Sequence, residues 1–255
     1  MPVLFVGHGS PINAIEDNAF TRRLKELGGQ LPRPQAVLCI SAHWETAGTQ
    51  VLVNETPATI HDFYGFPKQL NEYDYPAPGA VAIAQETIRE LKRVQAQATS
   101  AWGLDHGAWA ILTHLYPKAD VPVFQVSLDK DLSMEGHYAI GRLLAPLRAQ
   151  GVLILGSGNI VHNLGAYDPD TNARPYDWAV TFDDGIKAAL QAHDIGLLTD
   201  PSRVDQKAAR LSLPTEEHYT PLLYVVGASH QDDKLSFPFE GIQNASMSMR
   251  MVAFS

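Results

Sequence analysis

A chain of 255 residues with 45% hydrophobic and 18% charged residues can bury a sizeable core, which excludes global disorder. Its formal net charge of -9, with no run of Lys or Arg, argues against a nucleic-acid partner, because phosphate binding needs clustered positive charge. The single cysteine, Cys39, lies in an apolar run and reads as a buried, inert thiol, so neither a disulfide scaffold nor a cysteine-based zinc ribbon is available.

The first element predicted is a strand over Val3–Val6, which the chain enters too early for a signal-peptide core. No stretch reaches the roughly 18 apolar residues of a membrane span, so no membrane partner is expected and the cytoplasm is the expected compartment. Val37–Ile40 and Val152–Leu155 are equally continuous apolar runs ending near Gly or Ser, the pattern of strands buried on both faces. Thr49–Val53 and Val121–Val126 read as further strands, separated by a long irregular stretch, Glu55–Gly79, and by helical patterns. Helices are predicted over Ala80–Val94, Trp109–Tyr116 and Met134–Ala149, and another with Pro175 in its first turn and Ala179, Phe182, Ile186 and Ala189 on one face. Met247, Met249 and Met251 alternate with Ser246, Ser248 and Arg250 at a period of two, which predicts a half-exposed edge strand. The alternation of strand and helix predicts an α/β fold: a single domain over 1–255, with a central, mostly parallel sheet flanked by helices.

Four histidines fall where predicted strands end or helices begin: His8 between Gly7 and Gly9, His43 after the second strand, His162 after Gly156-Ser157-Gly158, and His218 in Thr215-Glu216-Glu217-His218. Side chains at the carboxyl edge of an α/β sheet converge there, and neutral imidazole binds Zn, Fe and Cu, so the set predicts a metal site. Thr215 reads as a helix cap, and Glu217 or His218 could complete the ligand set from the first turn. His106, in Asp105-His106-Gly107, opens a predicted helix, where the dipole disfavours its cationic form and leaves a neutral base. His114, His137, His193 and His230 are read as surface or packing residues. The pattern Gly-x-Ser-x-Gly is absent, which speaks against Ser10 or Ser157 as the nucleophile of a serine hydrolase. Glu55–Gly79 carries His61, Phe63, Tyr64, Phe66, Tyr73 and Tyr75, aromatic enough to wall a flat ligand. From these residues alone, zinc hydrolysis and iron-dependent oxidation both remain open.

GHGSP at 7–11, SAHW at 41–44, HDFYGFP at 61–67, YPAPG at 75–79, WGLDHG at 102–107, GSGNIVHN at 156–163 and EHYTPLLYVVGA at 217–228 together resemble the class III extradiol ring-cleavage dioxygenases. The likeness spans nearly the whole chain and is strongest to the 4,5-DOPA extradiol dioxygenase branch. It implies a non-haem metal that binds both oxygens of a catechol beside O2, and a ring opened to a semialdehyde. It also implies His8, His43 and His218 as metal ligands, and His106 and His162 as proton-transfer groups, with His162 at the border between ligand and acid. Many class III relatives place a carboxylate where His218 stands; Glu217 is adjacent, and a neutral histidine set suits Zn2+ as well as Fe2+. Fe2+ is expected for turnover, with Zn2+ able to occupy the site in purified protein. Trp44, His61, Phe63 and Tyr64 are expected to contact the catechol. A zinc-dependent hydrolase and a non-catalytic binding member of the same superfamily are the alternatives.

Overall fold

The computed structural model describes residues 1–255, built around a six-stranded sheet. Its strands are β1 (Val3–Gly7), β2 (Ala36–Ser41), β3 (Val123–Gln125), β4 (Val152–Gly158), β5 (Leu235–Ser236) and β6 (Met251–Phe254). They lie in the order β3-β2-β4-β1-β6-β5. The pairings β3-β2, β2-β4 and β4-β1 are parallel, whereas β6 and β5 add on antiparallel. Both faces of the sheet are buried, which is why its central strands read as unbroken apolar runs.

Successive residues divide between two cores. Val3, Phe5, Leu38, Ile40 and Ile154 pack on one side, while Leu4, Val6, Val37, Cys39 and Leu155 pack on the other. Helices α1 (Ala19–Gln30) and α3 (His106–Leu115) cover the second face through Phe20, Leu24, Trp109 and Leu112. The first face is covered by α2 (Val81–Glu90), α4 (Met134–Leu144), α5 (Asp177–Ala192) and α6 (Thr220–Ala228). Side-chain caps start three of these helices where the sequence offers them: Asn18 for α1, Asp105 for α3 and Ser133 for α4. No helix is long and apolar enough to cross a membrane.

Four local expectations are corrected. The Thr49–Val53 segment forms a strand over Gln50–Leu52, but it pairs with Gln97–Thr99 in a two-stranded annex outside the central sheet. Pro175 precedes α5, which starts at Asp177 after Tyr176. Thr215 caps no helix: its hydroxyl donates to Glu217 Oε1 at 2.9 Å, and α6 begins at Thr220, with Pro221 in its first turn. The methionine stripe is neither half-exposed nor an edge. Met247–Ser248 pairs with Ile242–Gln243, and β6 lies between β1 and β5 with every residue from Met247 to Phe254 buried. The alternating polar side chains find a buried partner in place of solvent: Ser248 Oγ donates to Asp183 Oδ1 at 2.5 Å and Arg250 Nε to Asp183 Oδ2 at 3.0 Å.

Candidate metal centre and substrate cleft

The carboxyl ends of β1, β2 and β4 meet at one edge, and each hands a histidine to it. His8 directly follows β1 and His43 stands two residues beyond β2. The end of β4 anchors two of the segments by backbone hydrogen bonds: His8 N donates to Gly158 O at 2.9 Å, and Asn159 N donates to His218 O at 2.8 Å. Gly9 turns the chain away through a φ of +62°, a conformation that a side chain would strain. His8, His43 and His218 form a nearly equilateral set, with ring centroids 5.0, 5.1 and 5.3 Å apart. Their ligand atoms all lie within 4.8 Å of one another.

The hydrogen-bond partners assign the tautomers. Ser157 Oγ donates to Gly107 O at 2.5 Å, so it accepts from His8 Nδ1 at 3.0 Å and leaves the His8 Nε2 lone pair free. Asp62 Oδ2 lies 3.4 Å from His43 Nδ1, and Glu217 Oε1 accepts from His218 Nδ1 at 2.9 Å. His218 therefore also carries its free lone pair on Nε2, and the Asp62 carboxylate beside His43 Nδ1 favours the same tautomer there. His8 Nε2 and His43 Nε2 stand 3.2 Å apart, lone pair against lone pair, and His218 Nε2 is buried with no partner in the protein. Such an arrangement is repulsive and unsatisfied without a cation. With one it is a ligand set: two nitrogens at about 2.0–2.1 Å from a zinc-sized ion can stand up to about 4.2 Å apart, which admits the 3.2 Å contact. The three histidines fit a divalent metal, each oriented by a second group through its other nitrogen.

Burial sets the protonation states. It holds His8 and His218 well below the ordinary imidazole range, with the neighbouring histidines adding to the effect. It also lowers His43 to about 3, with His106 reinforcing and Asp62 opposing, and His162 to about 4, opposed by Glu217. The rings are thus neutral donors at neutral pH. Asp62 goes the other way: burial pushes its carboxyl up, but His106 and His43 hold it below the usual carboxylate range.

His106 is the first residue of α3, fixed by its Asp105 cap, and its ring centroid is 3.9 Å from that of His43. Asp62 Oδ1 accepts its backbone N–H at 3.0 Å. The same oxygen is 3.0 Å from His106 Nδ1 but off the direction of a hydrogen bond. His162 lies flat against His218, with centroids 3.5 Å apart. Phe63 packs edge-on against His106 at 5.7 Å.

These histidines open on a cleft of about 540 Å³, a size suited to a small ligand. Phe63 and Tyr64 line it. Trp44 does not: it is buried and stacks on Trp102 at 5.8 Å, with planes 5° from parallel, so its ring belongs to the core beneath the site. His61 is exposed and holds Tyr73 O at 2.9 Å, placing it on the outer side of the loop whose next residues enter the cleft. Asp62 and Ser157 were missed as second-layer groups. The signal for Asp62 was the one carboxylate within HDFYGFP; Ser157 stood in view between the two glycines that follow β4's apolar run.

The sequence profile described as the catalytic LigB subunit of aromatic ring-opening dioxygenase matches residues 5–254. The chain is 44% identical to a 4,5-DOPA dioxygenase extradiol of Escherichia coli (strain K12), covering 99% of this chain and 94% of that protein. It is 36% identical to a protein of the same name from Beta vulgaris, over 90% of this chain and 87% of the other. The crystal structure of an uncharacterized protein from Escherichia coli K12 superposes with a TM-score of 0.86 at 40% identity, each chain covered in full. The chain belongs to the LigB family, non-haem metal enzymes of the class III extradiol dioxygenase type, and is an oxidoreductase that opens catechol rings. Within that family it falls in the DOPA-dioxygenase-like branch. The choice between hydrolysis and ring opening, open at the level of single histidines, is thereby settled for ring opening.

Proposed function

We propose that residues 1–255 form one cytoplasmic catalytic domain that opens the ring of a DOPA-like catechol with O2, giving a semialdehyde. His8, His43 and His218 hold the metal, Fe2+ for turnover, while Zn2+ suits the same neutral nitrogens in purified protein. Iron held by these residues would supply the electron path between catechol and O2, which Zn2+, having no redox change, would not supply. The observation that carries this reading is the convergence of His8, His43 and His218, with the Nδ1 atoms of His8 and His218 hydrogen-bonded elsewhere and that of His43 beside Asp62.

The chain's own residues orient the substrate and move protons. Phe63, edge-on to His106, walls one side of the ring. His106 and His162 border the cleft outside the ligand triad, placed to take a catechol proton and return one to oxygen as the ring opens. Asp62 keeps His43 in its ligating tautomer and fixes the backbone that carries His106. Tyr64 closes the outer wall.

Anaerobic loading with Fe2+, addition of a catechol and then admission of air tests the reading. A yellow semialdehyde should form with one O2 consumed per ring, and zinc-only protein should form none. Ring cleavage at the iron-loaded rate by iron-free, zinc-loaded protein would contradict the assignment of the metal.

A further inference from the structure

Asp105 is fully buried, and the four groups that donate to its carboxylate are all neutral. Oδ1 takes the Ser41 hydroxyl at 2.5 Å and the Ala108 N–H at 3.2 Å, while Oδ2 takes Trp102 Nε1 at 3.3 Å and Gln125 Nε2 at 3.1 Å. Burying an acid without a counter-cation costs stability even when donors satisfy it, and a helix cap alone does not require that depth.

Its neighbours hold the metal site. Ser41 and Ser157 are register partners at the ends of β2 and β4, both fully buried, and each hydroxyl faces two ways. Ser41 Oγ accepts the His43 backbone N–H at 3.2 Å and donates to Asp105. Ser157 Oγ accepts from His8 Nδ1 at 3.0 Å and donates to Gly107 O at 2.5 Å. Between the two anchor points, Asp105 and Gly107, stands His106. Gly107 lets the turn come this close, since a Cβ there would collide with the Ser41 hydroxyl.

We propose that Ser41, Ser157 and Asp105 are positioning residues that clamp the first turn of α3, so that metal binding at His8 and His43 and the placement of His106 are one coupled event. An ion that draws His8 and His43 together immobilises both serines and, through them, the turn. Linkage requires the converse, that a loosened turn weakens the hold on the ion. The inference rests on reading His8, His43 and His218 as the metal ligands.

The test uses Zn2+ alone as the probe and follows hydrogen exchange of the His106, Ala108 and Trp109 amides, which donate to Asp62 and Asp105. Amides of α5, on the far face of the sheet, report any global stabilisation. Relative to these, Zn2+ is expected to slow exchange in the turn about tenfold in the parent, and less than about threefold in Ser41→Ala and Ser157→Ala. The same variants should bind Zn2+ about tenfold more weakly. Loaded with Fe2+, Ser41→Ala should lose about tenfold in kcat per bound iron, with KM little changed, because His106 is displaced. Asp105→Asn, which turns a donor toward one pair of its partners, should combine these losses, and the serine variants decide alone if it does not fold. A purely structural role would speed exchange with and without Zn2+ alike. That result, or a turn indifferent to bound Zn2+ in the parent, overturns the clamp while leaving the metal site standing. Parent protein that binds Zn2+ no better than His218→Ala overturns the metal reading, and the clamp with it.

Discussion

His162 and His218 stack ring on ring, centroids 3.5 Å apart and planes 5° from parallel. Imidazole lone pairs lie in the ring plane, so those of two stacked rings run side by side and do not converge on a single ion. His218 Nε2 belongs with His8 and His43, so we propose His162 as a neighbour of the metal, although His162, Glu217 and His218 also bring ligand atoms within 4.8 Å of one another. His162→Gln is expected to keep full metal content while kcat falls by roughly 10²–10⁴, the usual worth of a positioned acid or base. Metal analysis and turnover on one sample check this; metal loss equal to that of His8→Ala would make His162 a ligand after all.

Asp62 serves two histidines with one carboxylate, His43 through Oδ2 and His106 through Oδ1. Removing it frees the His43 ring to rotate and to take the wrong tautomer. Asp62→Ala is expected to weaken metal affinity by roughly 10–100-fold. Asp62→Asn, which still accepts hydrogen bonds but has no charge, should lose less. Competition against a metal-chelating dye ranks the two variants, and equal affinity in both and in the parent would show that His43 needs no such support.

Metal binding should also appear in stability, because an ion held by His8, His43 and His218 binds the folded chain and not a preformed site in the unfolded one. At free metal about 100 times Kd, the gain is about 2.7 kcal/mol. Chelation is expected to lower the melting temperature, re-addition of Fe2+ or Zn2+ to restore it, and His218→Ala to abolish the response. A melting curve indifferent to chelator would remove the metal from this site.

The strand ends were legible because doubly buried strands are written as unbroken apolar runs, and the glycines on either side of His8 marked where the backbone turns at a candidate ligand. The C-terminal strand was misread for a physical reason: a period of two tells which residues share a face, but not whether the polar face is wet. Here the partner of Ser248 and Arg250 is Asp183, on a helix far away in sequence. Trp44 was misplaced similarly, since adjacency to His43 does not fix which way the next side chain points, and Trp102 claims its ring. Asp62 stood out as the one carboxylate of its motif, but its partners could not be read because both arrive from other segments.

That buried polar cluster carries its own consequence. Arg250 is 2% exposed and holds Asp183, Asp184 and Glu240, with Asp183 also taking the Ser248 hydroxyl. Burial alone would raise the Asp183 carboxyl, and it does so despite Arg250. Taking away the guanidinium leaves that acid uncompensated inside the protein. Arg250→Met is expected to destabilise the fold by roughly 3–5 kcal/mol, read from urea denaturation. The double variant with Asp183→Leu should recover a large part of it, since replacing both partners removes the orphaned charge. No recovery in the double variant would show that the cost lay in packing.

His137 supplies the pH dependence away from the metal. It is buried against Tyr224, whose hydroxyl lies 3.1 Å from Nδ1, and burial lowers its pKa from 6.5 to about 4. Above pH 6.5 the ring is neutral in both folded and unfolded chains and contributes nothing to the slope. Between 6.5 and about 4 the unfolded chain binds a proton that the folded chain refuses, so stability falls as pH falls, by up to about 3 kcal/mol at the lower end. Below that the folded ring is protonated as well and the slope ends. His137→Gln keeps a partner for Tyr224 but cannot titrate. Its denaturation free energy, followed from pH 7 to pH 4 in metal-free protein, is expected to decline less steeply than that of the parent, and parallel curves would place the acid sensitivity elsewhere.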